Sequence, residues 1–365
     1  MSIARTLLAR IRALPPRPVR IMNVCGGHER SITMAGLRRA LPDWIELIPG
    51  PGCPVCVCPE ESVHAAIQLA LAEPVTVAVF GDMLRVPVNV PKGAVRTLEQ
   101  ARAAGGDVRP VASPLEVVQI AASAPDRPVV FFAAGFETTA APVAAMLAAS
   151  PLPNLSLLLA TRLTWPAVAM LLESGRPGFD ALIAPGHVAT VMGPEEWDPV
   201  PTRWGIPAAI AGFSPESLLA AIWSVLRQRA AGAPVLDNCY PDLVRPGGNP
   251  TARARLAEIM QVVDAPWRGI GVIPRSGLVL SDAWARFDAT VRFPLAIDTA
   301  RKRAGAMPPG CACAEVVLGR RAPDQCPLYG RACTPRAPVG PCMVSDEGAC
   351  RIWWAGGVRR SRVAA

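Results

Sequence analysis

Three cysteines crowd one short stretch, Gly50-Pro51-Gly52-Cys53-Pro54-Val55-Cys56-Val57-Cys58-Pro59. A packed core does not need such a run. Thiol chemistry or soft-metal binding does, because the thiolate is both nucleophile and ligand. The spacing of Cys53 and Cys56 lets two sulfurs face one metal or close one disulfide. Pro54 within the pair restricts the backbone and suits a reversible disulfide. Cys58 is off that spacing and reads as a bystander. Upstream, Cys25 and His28 form a C-x-x-H, a soft-metal spacing or a thiol with a neighbouring base. Downstream of Pro308 come Cys311, Cys313, Cys326, Cys333, Cys342 and Cys350, separated by Pro, Gly and Arg. That segment cannot build a hydrophobic core, so an iron–sulfur cluster, a structural zinc or disulfides must fix it. The spacings lack the paired C-x-x-C knuckles usual for zinc, which favours iron–sulfur. His187, after Pro185-Gly186, reads as a structural hydrogen-bonder or a site residue. Glu137, Thr138 and Thr139 read as a helix cap or as groups that orient a ligand.

The elements that position these residues alternate. A strand over 19–24 runs into Cys25, where Gly26 and Gly27 precede a helix over 32–40 that Ser31 can cap. Open α/β sheets place ligands at the carboxyl ends of strands, and a helix N-terminus favours a thiolate. A strand over 45–48 delivers the C-P-V-C loop, and Glu60 and Glu61 open a helix to residue 72. Strands over 75–80, 108–112, 129–132, 155–160, 181–184 and 208–211 follow, with helices over 95–104, 140–149 and 215–229 among the connections. Helix is expected over 256–263 and strand over 269–274. Alternation of this kind implies parallel or mixed sheets built from βαβ units. The layouts of 75–87 and 129–142 are alike, a strand, a glycine, an acid and a helix, which makes two related α/β lobes plausible. The expected division is an N-terminal α/β domain (1–122) with Cys25 and the C-P-V-C loop, a second α/β domain (123–240), and a small cysteine-rich C-terminal iron–sulfur region (241–365).

Composition bounds the function. The chain of 365 residues is 51% hydrophobic and 18% charged, enough to bury a large core. Its net charge of +8 is carried almost wholly by arginine without aromatic-interleaved basic runs, so no nucleic-acid partner is expected. Arg359, Arg360 and Arg362 read as a solvated tail. The apolar runs are too short to span a bilayer, so no membrane partner is expected. Eleven cysteines in a cytoplasmic chain point to ligands and redox thiols more than to a disulfide framework. No G-x-x-x-x-G-K-[ST] loop is present.

An ordered set of motifs carries a resemblance. Cys25-Gly26-Gly27-His28-Glu29, the 50–56 stretch and Phe80-Gly81-Asp82-Met83-Leu84-Arg85-Val86-Pro87 come first. Gly135-Phe136-Glu137-Thr138-Thr139, Pro185-Gly186-His187-Val188 and Trp267-Arg268-Gly269-Ile270-Gly271 follow. Cys326-Pro327-Leu328-Tyr329-Gly330, Cys342-Met343-Val344-Ser345 and Glu347-Gly348-Ala349-Cys350 close the set. Together they resemble the [NiFe]-hydrogenase maturation factor HypD family over nearly the whole chain. The resemblance implies two related α/β domains, a C-terminal [4Fe–4S] region, and a scaffold that assembles and transfers the Fe(CN)2CO group of the hydrogenase active site. Its implied partners are a HypC-type small chaperone, a HypE-type cyanide donor and, indirectly, the hydrogenase large subunit. It implies that Cys25 binds the iron with a second thiolate from the chaperone. His28 would hydrogen-bond the thiolate or the iron's diatomic ligands, and Cys53 and Cys56 would alternate between dithiol and disulfide beside the iron. It further implies that Cys311, Cys326, Cys333 and Cys350 hold the cluster, leaving Cys313 and Cys342 as a second redox pair. The set Cys326, Cys333, Cys342 and Cys350 is an alternative. Arg30 stands where the family has a second histidine; it cannot ligate but can donate hydrogen bonds to a cyanide nitrogen. A cluster-coupled thiol–disulfide reductase is the alternative function.

Overall fold

Val129–Gly135 is buried at every position, and Thr76–Phe80 and Leu155–Arg162 nearly so. Strands apolar on both faces belong in parallel sheets covered by helices on each side. The computed structural model describes residues 2–294 and 307–359. The strands are β1 (Val19–Asn23), β2 (Ile45–Pro49), β3 (Thr76–Phe80), β4 (Asp107–Val111), β5 (Val129–Gly135), β6 (Leu155–Arg162), β7 (Ala181–Pro185), β8 (Ala208–Ala211), β9 (Leu236–Asn238), β10 (Met260–Trp267) and β11 (Gly271–Leu280). They form two sheets with helices between, an α/β fold.

One sheet has the order β2-β1-β7-β8-β9 and is parallel throughout. The other has the order β10-β11-β6-β5-β3-β4; its β3 to β6 strands are parallel, and β11 runs antiparallel to both β6 and β10. In each sheet the winding direction reverses once, between β1 and β7 in the first and between β3 and β5 in the second. Ligand crevices of open α/β sheets open at the strand carboxyl ends of such points. Cys25 follows β1, and Asp82 follows β3.

The sheets do not respect a boundary at residue 122. The first sheet joins β1 and β2 to strands from 181–238, and the second joins β3 and β4 to strands on the far side of that boundary. The physical reason is burial. β1 is largely buried, so the backbone N–H and C=O groups on both its edges need partners, which β2 and β7 supply. The alike stretches around β3 and β5 are hydrogen-bonded neighbours in one sheet, not counterparts in two lobes.

Local differences have similar causes. The first helix after β1 is Gly26–Met34, with Cys25 at its N-cap, rather than one capped by Ser31. The expected helix over 256–263 stops at Ile259, because β-branched Val262 and Val263 enter β10 and pair with Leu278 and Gly277 of β11. Arg359 is not free in solvent: it donates to the Trp354 carbonyl at 2.8 Å and stacks on that ring. Arg360 and Arg362 lie outside the described residues. Among the described residues, no helix is long and apolar enough to cross a membrane.

Candidate metal and thiol centre

Parallel pairing of β1 with β2 brings their carboxyl ends together, and with them Cys25 and the C-P-V-C loop. The two loops touch through backbone. The Gly26 N–H donates to the Gly52 carbonyl at 3.0 Å. Gly52 has no room for a side chain, since a Cβ there would sit against Val24 and the Cys25 Cα. Gly26 is also crowded, from the other side, by Glu347. Three chain segments therefore meet at one small cleft, lined among others by Cys25, Cys53, Cys56, Asn23, Glu29 and Glu347.

Cys53 and Cys56 form a disulfide, with Cα atoms 5.3 Å apart. Cys53 caps the short helix Pro54–Val57, and the Cys56 N–H donates to its sulfur at 3.2 Å. Pro54 occupies the first helical turn, where its missing N–H costs nothing. Both sulfurs belong to buried residues. Cys58 is wholly buried outside the disulfide; burial pushes its thiol up to about 12, and Arg162 and Arg268 only partly oppose this.

Cys25 is half-buried. Desolvation, then the charge of Glu347, pushes its thiol up to about 12, although the backbone N–H groups of His28 and Gly27 face the sulfur and pull the other way. Left alone, the sulfur keeps its proton; a bound metal cation reverses that balance. Glu347 stands at the cleft rim. Desolvation of its carboxyl and the nearby charge of Asp82 push it up to about 7.

His28 is fully buried, and its Nε2 lies 2.9 Å from the Ala211 carbonyl. A carbonyl only accepts, so Nε2 carries the hydrogen and Nδ1, which has no partner among the described residues, is a bare acceptor. Burial holds this ring neutral, down to about 4. His187 is exposed and stacks edge-on against Phe213 at 4.3 Å; His28 meets the same ring at 5.4 Å. The two histidines are thus joined through Phe213, beside the cleft but not among its lining residues.

The Glu137 carboxylate is engaged elsewhere. It accepts from the Thr164 N–H at 2.6 Å and the Thr164 hydroxyl at 2.7 Å, tying its own helix to the start of Thr164–Glu173. Thr138 is exposed and Thr139 half-buried. None of the three lines the Cys25 cleft. Arg30 is exposed and pairs with Asp346 at 3.6 Å.

The six C-terminal cysteines converge. The Cys311 and Cys313 sulfurs are 3.3 Å apart. Cys342 and Cys350 both touch Cys313 and each other, and these contacts raise Cys342 and hold Cys350 down at about 6. Cys326 and Cys333 lie within electrostatic reach of Cys350, and the Val339 N–H donates to the Cys333 sulfur at 3.4 Å. Gly340 packs directly on the Cys311 and Cys313 sulfurs. Among the described residues, no three Cys, His, Asp or Glu side chains are drawn into ligating geometry. Six thiols in one largely buried nest, under a glycine lid, nevertheless match the donor chemistry of a soft-metal cluster.

Sequence reasoning assigned no role to Asn23, Glu29 or Glu347. Glu29 and Glu347 stand inside quoted motifs, but only the fold shows that they face Cys25. Asn23 carried no signal at all.

Comparison with known proteins identifies the family. Residues 2–357 match the HypD family model, described as "Hydrogenase formation hypA family". Hydrogenase maturation factor HypD of Azotobacter vinelandii is 40% identical over 375 residues, covering 100% of this chain and 97% of that protein. The protein of that name from Rhodobacter capsulatus is 39% identical over 364 residues, covering 98% and 94%. That of Escherichia coli K12 is 38% identical over 346 residues, covering 93% and 89%. A family match across nearly the whole chain, with relatives of this similarity aligned end to end, shows that the chain belongs to the HypD family.

Proposed function

We propose that this protein acts in hydrogenase maturation as a cytoplasmic scaffold on which the Fe(CN)2CO group of the [NiFe]-hydrogenase active site is assembled before transfer. The supporting observation is the shared cleft of Cys25 and the Cys53–Cys56 disulfide, closed by the segment that carries Cys350. Cys25 is the iron ligand from this chain, and a HypC-type small chaperone supplies a second thiolate. Cys25 keeps partial solvent access beside a largely desolvated thiol, as a ligand shared between two proteins requires. A HypE-type protein supplies cyanide, and the hydrogenase large subunit receives the finished group indirectly.

Each residue has a separate task. The Gly27 and His28 amides orient the Cys25 sulfur, and the thiol proton leaves as iron binds. His28 stays neutral, and its bare Nδ1 can only accept a hydrogen bond, so in this tautomer it does not donate to the thiolate or to the iron's diatomic ligands. The Cys53–Cys56 disulfide takes up two electrons and two protons to become a dithiol, which returns them in one reductive ligand step. Cys311, Cys326, Cys333 and Cys350 would hold a [4Fe–4S] cluster, with Cys313 and Cys342 as a second thiol pair. Such a cluster, when bound, supplies electrons singly. A free-standing thiol–disulfide reductase fits less well, since burial of both central sulfurs leaves a protein substrate little access.

Infrared spectroscopy of the protein co-purified with its small chaperone tests the reading. Cyanide and CO stretching bands are expected from the wild type and should vanish in Cys25→Ala. Their reproducible absence from a complex that supports hydrogenase activity would overturn it.

A further inference from the structure

The Glu29 carboxylate is 1% exposed, and three donors converge on it. Its Oε2 accepts from Arg38 Nη2 at 2.7 Å and from Asn23 Nδ2 at 3.1 Å. Its Oε1 accepts from the indole Nε1 of Trp353 at 2.6 Å. The Arg38 guanidinium also lies over the Trp353 ring, 5.0 Å from its centroid.

Those donors come from separate parts of the centre. Asn23 ends β1, two residues before Cys25, and its Nδ2 also donates to the Ile48 carbonyl of β2, the strand that delivers the C-P-V-C loop. Trp353 stands in Ala349–Ala355, the helix that carries Cys350 and packs along Gly26–Met34. With both Nδ2 bonds made, Asn23 Oδ1 is left as a buried acceptor with no partner among the described residues, and Asn23 lines the cleft. A core helix contact does not call for a buried carboxylate: apolar residues of similar volume do as well or better. Such a group is well suited to fixing one geometry among several.

We propose that Glu29 is a positioning residue that locks the Cys350-bearing helix to the Cys25 loop through Trp353 and aims the Asn23 carbonyl oxygen into the cleft. Its role deepens the scaffold reading by naming what holds the iron-ligand cysteine in register with the C-terminal cysteines. Glu29→Gln removes the charge and forces an amide N–H against at least one of three donors. Trp353→Phe removes the indole N–H and one of its two rings but keeps an aromatic face for Arg38.

The test uses anaerobic full-length protein and needs no iron cargo. Cys25 reactivity is followed with an alkylating reagent and peptide mapping, the Cys53–Cys56 potential by equilibration in dithiol buffers, and the 349–355 helix by hydrogen exchange. Loss of a charge-assisted bond of this kind should raise alkylation of Cys25 roughly ten-fold in each variant. It should also shift the disulfide potential. The double variant should do clearly less than the sum of the two single ones, because both break the Glu29–Trp353 link. Faster exchange at 349–355 with unchanged Cys25 reactivity and potential would make Glu29 merely structural and overturn the proposal. Additive effects in the double variant would also overturn it. If Glu29→Gln does not fold, Trp353→Phe alone decides the matter by the same readouts. Failure to find infrared bands in the wild type would count against the scaffold reading and leave these measurements intact.

Discussion

Gly52 lies so close to Val24 that a Cβ on it would stand 1.4 Å from the Val24 carbonyl oxygen. The C-P-V-C loop therefore rests on the backbone that leads into Cys25, and no side chain fits between them. Gly52→Ala must push the loops apart and should cost about 3 kcal/mol. Gly81→Ala, at a glycine with open space around it, should stay within about 0.5 kcal/mol. Urea denaturation of the two variants measures the contrast. Equal midpoints would contradict the packing described.

The C-terminal cysteines stand in a segment with little apolar content of its own. Removing metal with a chelator under reducing conditions should speed hydrogen exchange across 311–355. The amides of β1 and β5 should keep their protection, because those strands are buried by their own sheets. Uniform loss of protection throughout the chain would show that the region is no separate stability unit.

Burial, with the charge of Glu137 adding to it, pushes the Glu196 carboxyl up to about 8 from its usual 4.5. A carboxyl whose folded pKa is raised binds its proton more tightly in the native state. Its stabilising effect is full below the usual value and is lost as pH rises towards 8. The wild type should therefore lose stability between about pH 4.5 and 8 relative to Glu196→Gln, whose profile lacks this slope. Thermal unfolding of both proteins across that range is the check. Parallel profiles would refute the assignment.

Much of the fold was legible because its signals are local. Continuous apolar runs such as Val129–Gly135 announce buried parallel strands, and Glu60 and Glu61 after Pro59 announce a helix start. Strand order was not legible. Nothing near β1 says that its second neighbour is β7, since pairing of that kind is decided by packing across the whole chain. The site divides the same way. Cys25, Cys53 and Cys56 stood out by residue type and spacing. The Gly135-Phe136-Glu137-Thr138-Thr139 motif read as a helix cap or as groups that orient a ligand, and its Glu137 braces two helices through Thr164. Glu347 was invisible as a site residue because it reaches Cys25 only by a contact across most of the sequence.

Cys58 offers a check on which thiols matter. It is wholly buried and takes no part in the disulfide. Cys58→Ala should cost about 1 kcal/mol for the lost packing and leave the Cys53–Cys56 potential and the infrared bands unchanged. Cys53→Ala should abolish the disulfide. A Cys58 variant that lost the bands while remaining folded would show that this thiol works beside Cys25, Cys53 and Cys56.

The discontinuous pairing of β1 with β7 also sets an order of events during synthesis. β3, β4, β5 and β6 leave the ribosome in succession and find their partners among one another. β1 and β2 emerge first yet must wait for residues 181–238 to complete their sheet, and the C-terminal cysteines come last. A nascent chain thus holds Cys25 and the C-P-V-C thiols in an unfinished half-sheet for most of translation. The cleft is closed only as the segment bearing Glu347 and Cys350 docks, so its three segments meet only after β1, β2 and their later sheet partners have been made.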